Sequence, residues 1–188
     1  MRLRLRGAAP PRRGRARLWR RAVLAIGAVV LVFTALTVRL FIAPAQGMPE
    51  QVSAIVMLAG PGDRLPTALR LASGHRAAMF VVSRGSDGYG GPCPPQPAGV
   101  RLICFEPNPA DTRGEAEFIG RLAKRYHWKS VALVTTRAQD TRARMLVQRC
   151  FGGSVYVITG PLALGQWPYQ IAYEWGALVK ALVFNRSC

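Results

Sequence analysis

Apolar residues in this chain come in blocks of two lengths. Residues 22–38, AVLAIGAVVLVFTALTV, carry no charge, and the run resumes past Arg39 as far as Ala43. As a helix rising about 1.5 Å per residue it reaches roughly 30 Å, the thickness of a bilayer core. Beyond residue 51 the apolar blocks shrink to five to seven residues, at 52–58 (VSAIVML), 77–82, 100–105, 130–135 and 154–158. They are rich in β-branched residues and bounded by turn formers, so each predicts a buried strand. Between and after them, helical spacing predicts helices over 64–73 with Pro66 in the first turn, from Asp111 or Thr112 to about Tyr126, over 140–150 and over 169–184. Thr112 with Glu115 fits a capping box. Residues 84–99, RGSDGYGGPCPPQPAG, are too rich in Gly and Pro for regular structure and predict a surface loop. Strands alternating with single helices require right-handed crossovers. The expected fold is therefore α/β, a three-layer sandwich with a mainly parallel, Rossmann-like sheet, preceded by one transmembrane helix.

Charge sets the expected topology. Arg2, Arg4, Arg6, Arg12, Arg13, Arg15, Arg17, Arg20 and Arg21 precede the long apolar run with no acid among them. The positive-inside rule keeps such a leader cytoplasmic. The expected organisation is a cytoplasmic leader (1–21), a transmembrane signal anchor (22–43), a linker (44–51) and an extracytoplasmic domain (52–188), in a single-pass protein of the plasma membrane. A cleaved signal peptide is the alternative, because Ala43-Pro44-Ala45 before Gln46 has the small-x-small form of a processing site. The formal charge of +17 is uneven: ten of the 26 basic residues lie in 1–45, and the rest of the chain holds 16 basic and 9 acidic residues, net +7. That excess is diffuse and not interleaved with aromatic residues, so nucleic acid is not an expected partner. A surface that attracts anionic lipid head groups, undecaprenyl phosphates or acidic wall polymers is one alternative, and a merely solvated basic surface is the other.

Cys93, Cys104, Cys150 and Cys188 all follow the apolar run, an even number in a compartment that permits disulfides. Pairing of Cys93 with Cys104 and of Cys150 with Cys188 is preferred, from sequence distance. Metal binding is disfavoured because no CxxC or CxxH spacing occurs.

In an open parallel sheet ligands bind beyond the carboxyl ends of the strands. The residues there are Gly60, Gly62, Asp63 and Arg64 after the first strand, Ser83, Arg84 and Gly85 after the second, Asp111 to Glu115 after the third, and Thr135, Thr136, Gln139 and Arg142 after the fourth. Arg142 stands out, since a guanidinium grips phosphate or carboxylate bidentately, although Arg137, Arg144 and Arg149 nearby suggest a solvated face. Asp63 and Arg64 fit a mutual ion pair, Glu115 a helix cap. The first turn, AGPGDR, fails the dinucleotide template, so no cofactor is expected.

This order of motifs resembles the YdcF-like family, a domain of unknown function (218) that includes the SanA and ElyC envelope proteins. The likeness spans about residues 52–183 and rests on IVMLAGPGDRLPTAL, VVSRG, ADTRGEA and VTTRAQDTRA. VRLICFEPNPADTRGEA and ARMLVQRCFGG look like its actinobacterial branch. The resemblance implies a role in wall or barrier maintenance, with a phosphorylated envelope precursor bound by Arg64, Arg84 and Arg142 and oriented by Thr112, Thr135 and backbone amides. Relatives carry histidine where this chain has Gln139, and glutamine takes no proton at neutral pH. His127, in RYHW at a helix end, does not replace it. A hydrolase or transferase using Asp63 or Glu115 as base is the enzymatic alternative, and a scaffold with a vestigial crevice the third. Adenosylmethionine, suggested by cytoplasmic relatives, is disfavoured by export.

Overall fold

The computed structural model describes residues 12–85 and 92–188, so most of the leader and the middle of the Gly/Pro-rich loop lie outside the described residues. The chain divides into two units, residues 1–38 and 39–188. The first contains helix α1 (Arg12–Thr37). A stretch of 27 residues, Ala16–Ile42, is long and apolar enough to cross a membrane, with a mean hydropathy of 2.4.

A π-helical turn, Val38–Ile42, follows α1 across the boundary, and the second unit then runs β1 (Ala54–Met57), α2 (Leu65–Ser73), β2 (Met79–Ser83), β3 (Arg101–Phe105), α3 (Thr112–Tyr126), β4 (Ser130–Thr136), α4 (Arg137–Cys150), β5 (Ser154–Gly160) and α5 (Trp167–Val183). The strands form one parallel sheet in the order β3-β2-β1-β4-β5. Both faces are covered, which explains the continuous apolar runs. Ala54, Val56, Val131 and Leu133 point to the side filled by Ile119, Leu122, Leu146 and Val147 of α3 and α4. Ile55, Met57, Ala132 and Val134 point to the other, under Ala68 and Ala72 of α2. The order reverses between β1 and β4, because β1 to β3 build outward in one direction and β4 and β5 in the other. That reversal opens a crevice at the strand carboxyl ends.

Three local features depart from the expected pattern. Helix α4 begins at Arg137 rather than 140, directly off β4. The Thr112–Glu115 capping box does not form: Asp111, the other cap position offered by the sequence, caps α3, its Oδ1 accepting from the amides of Arg113 (2.8 Å) and Gly114 (3.1 Å). Residues 44–51 hug the domain instead of hanging free. Arg144 Nη2 donates to Ala45 O (3.0 Å), Gln46 Nε2 to Asp140 Oδ2 (2.6 Å), and Gly47 N to Val157 O (3.4 Å). The disulfides are Cys93–Cys104 and Cys150–Cys188, with Cα separations of 6.1 and 4.9 Å, the set preferred from spacing.

Candidate functional site

The turn after β1 is built around one side chain. Residues 58–63 must reverse from strand to helix, and Gly60 (φ 123°) and Gly62 (φ 94°) take backbone conformations that favour glycine. This leaves carbonyls pointing inward. Arg64 collects them: Nη1 donates to Leu58 O (2.8 Å) and Ala59 O (2.5 Å), and Nη2 to Pro61 O (2.8 Å). The side chain is buried, and desolvation lowers its pKa to about 10 against the pull of Glu115 and Glu174, so it remains charged at neutral pH. Arg64 is thus a structural wedge: it neither pairs with Asp63 nor projects as a phosphate ligand, because both terminal nitrogens bond backbone carbonyls and its Nε is buried with no hydrogen-bond partner among the described residues.

Glu115, one turn into α3, reaches the same loop. Its Oε1 accepts from Ala59 N (2.7 Å), an atom of the β1 turn, so the capping-box role expected with Thr112 is not the one it takes. Burial raises the Glu115 pKa most strongly, and the Ser83 hydroxyl, the Ala59 amide and the Arg64 and Arg142 charges oppose it without cancelling it. Ser83 Oγ is itself buried and makes no hydrogen bond of full geometry. Glu115 is therefore biased toward the neutral acid.

Thr112, freed from capping, joins a buried chain of polar groups at the start of α4. Thr135 Oγ1 donates to Gln139 Oε1 (2.8 Å), and Gln139 Nε2 donates to Thr112 Oγ1 (3.1 Å). The amide bridges β4 to α3 with both ends occupied, a use a neutral histidine has the donor and acceptor to imitate.

One turn further along α4, Arg142 meets α5. Its Nε and Nη2 donate to Glu174 Oε2 (2.7 Å) and Oε1 (2.8 Å), and Gln170 Nε2 also donates to Oε1 (3.3 Å). Burial by itself lowers the Arg142 pKa, but the hydrogen bonds and charge of Glu174 reverse this, and the guanidinium stays charged. Nη1 stands outside the pair, and the guanidinium carbon lies 5.9 Å from the Tyr173 ring centre.

These elements enclose a cleft of about 600 Å³ at the strand carboxyl ends. Gly60, Thr112, Glu115, Gln139 and Arg142 line it, together with Asp111 and Gly85. The structure thus brings together five of the eleven ligand-binding positions expected from sequence. The others fall outside the lining. Ser83, Thr135 and Thr136 are buried behind it, Arg64 fills the turn, and Gly62 packs where a Cβ would meet Thr136 Cγ2 at 2.7 Å. Arg84 is exposed, 3.7 Å from Glu106. Asp63, the second candidate base, is exposed and contributes no atom to the cleft.

Sequence reasoning missed the wall supplied by α5: Gln166, Tyr169, Gln170 and Tyr173 line the cleft and Glu174 supports it. A signal was present. Gln170 and Glu174 sit one turn apart on one face of WPYQIAYEWGALVKALV, where apolar residues surround them. A buried pair of this kind needs partners, and Arg142 is the one that the fold supplies.

Chemically, the cleft offers a compensated guanidinium, three carboxamides (Gln139, Gln166 and Gln170), the neutral-biased carboxyl of Glu115, the capping carboxylate of Asp111 and two tyrosine rings. Among the described residues no group of three or more His, Cys, Asp or Glu is placed to hold a metal ion. The Thr112 hydroxyl is engaged by the Gln139 amide and not by a base, so it is not set up as an activated nucleophile. Compared with known proteins, the chain matches no family model, no curated protein and no solved structure.

Proposed function

We propose that this is a membrane-anchored envelope protein of the YdcF, SanA and ElyC type, with its α/β domain outside the plasma membrane, and that its cleft binds a phosphorylated envelope precursor. The observation that carries this reading is Arg142: a charged guanidinium aligned by Glu174 on the cleft wall, beside the side chains of Gln139, Gln166 and Gln170. Two further observations support the compartment. Both disulfides lie in the second unit. The segment 40–47, which includes the small-x-small sequence, is held against the domain by Phe41, Ala45, Gln46 and Gly47, which favours an intact anchor over processing.

The test is a titration of the full chain in lipid nanodiscs with a polyprenyl phosphate and with the matching polyprenol. The phosphate is expected to bind at least about tenfold more tightly, and Arg142→Gln paired with Glu174→Gln to erase the difference. Equal affinity for the two lipids sinks the proposal.

Glu115 supports a second reading, hydrolysis or group transfer on the same phosphates, with its carboxyl as proton donor. Turnover of phosphate esters by the full chain, abolished in Glu115→Gln, selects that reading over binding.

A further inference from the structure

The outer face of α5 is apolar and uncovered. Tyr169, Tyr173, Val179 and Val183 recur at helical spacing along it, and exposures of 72, 51, 52 and 48 % show that none is used by the core. Phe184 extends the stripe at 78 %. The opposite face of the same helix is consumed: Gln170, Glu174, Leu178 and Ala181 are buried. A solvated helix of a monomeric domain does not keep a stripe of this length without a use.

What lies against it follows from chain connectivity. Leu40 and Phe41 are close to the end of the 27-residue apolar stretch, and both are fixed on the second unit, Phe41 against α5 and Leu40 against α4. Phe41 is wholly buried with its ring edge-on to Trp175, centres 5.2 Å apart, and Thr141 Oγ1 donates to Leu40 O (2.5 Å). The last residues of the apolar stretch, which belong to the second unit, thus reach α5 through Phe41. Charge agrees. The acid on α5, Glu174, is buried against Arg142, while Lys180 on the outer face and Arg186 just beyond it are basic. Aromatic, aliphatic and basic residues on one face of a helix match a lipid interface with anionic head groups.

We propose that the outer face of α5 lies in the outer leaflet of the bilayer that carries the chain's own apolar run. Tyr169 and Tyr173 belong to both the stripe and the cleft wall, so this seating sets the cleft mouth at head-group level, where a lipid-borne phosphate enters sideways from the membrane. The inference rests on the anchored reading above and adds the orientation of the domain.

The experiment places a benzophenone amino acid at Val179 or Phe184, or at exposed Lys124 of α3 as the comparison, in the full chain reconstituted into phosphatidylethanolamine and phosphatidylglycerol vesicles. Irradiation is expected to give at least about tenfold more lipid adduct at Val179 and Phe184 than at Lys124. Yields equal to those at Lys124, or adducts to a second copy of the chain in place of lipid, overturn the proposal. Flotation of the same vesicles separates the two readings. A chain that floats without α5 adducts loses the seating alone, whereas a chain that does not float loses the anchor as well.

Discussion

Arg142 and Glu174 show why a buried ion pair is informative about function and weak as a source of stability. Removing one partner strands a charge, so Arg142→Ala is expected to lower unfolding free energy by about 3–5 kcal/mol, whereas Arg142→Met with Glu174→Leu recovers most of it. Denaturant titration of the two variants checks this, and neither is expected to retain phosphate binding. Glu115 makes a pH prediction. Its pKa is raised from 4.5, so above that pH the folded chain holds a proton the unfolded chain has released. The stability tied to this group is therefore present at acid pH and lost as pH rises through the raised pKa. Glu115→Gln keeps an acceptor for the Ala59 amide and is expected to raise the melting temperature more at about pH 8 than at about pH 5. The residual slope belongs in part to Asp140, whose carboxyl burial also raises, against Arg144 and Gln46. Equal gains at the two pH values refute the assignment.

At the scale of elements, the approach of α3 to its neighbours is limited by two glycines. A Cβ on Gly114 would sit 1.9 Å from Pro109 O, and one on Gly120 would sit 2.6 Å from Cys150 O on α4. Gly114→Ala is therefore expected to push α3 off the β3 loop and displace Glu115 from the Ala59 amide, costing more stability than Asp111→Ala. The latter removes only a cap, about 1 kcal/mol. Comparing their melting temperatures tests the ranking. The same elements show where local patterns are legible and where they fail. The start of α3 was readable to one residue, but Asp111 and Thr112 both suit a cap. The choice between them depends on Gln139, 27 residues away, which needs the Thr112 hydroxyl. Thr136 with Gln139 has the spacing of a capping box, a start signal that an onset at 140 overlooks, and Thr136 is indeed the N-cap of α4 although its hydroxyl makes no capping bond. Burial of Thr135 and Thr136 at the sheet end, rather than propensity, begins that helix.

At the scale of the whole molecule, the two disulfides restrain different parts of the chain. Cys150–Cys188 spans 38 residues and ties the segment after α5 to the end of α4, while Cys93–Cys104 spans 11 and pins the Gly/Pro-rich loop to β3. Loop-closure entropy is worth about 4 and about 3 kcal/mol respectively, so Cys150→Ser with Cys188→Ser is expected to be the more damaging pair in a denaturant melt. The local alternation of apolar runs and helical spacing by itself determined the five strands, the helices, the parallel α/β class and the apolar span, because each depends on near-neighbour periodicity and on the need to bury both sheet faces. The exit points of the strands follow from that class, so Gly60, Thr112, Glu115, Gln139 and Arg142 were within reach of sequence. Only the tertiary structure decided what each does. It turned Arg64 inward onto three carbonyls, gave Arg142 to Glu174, and brought α5 over the crevice with its tyrosines outward. Those outcomes are set by which polar group finds a partner when distant segments close on each other, and a buried donor or acceptor takes whichever partner the packing delivers.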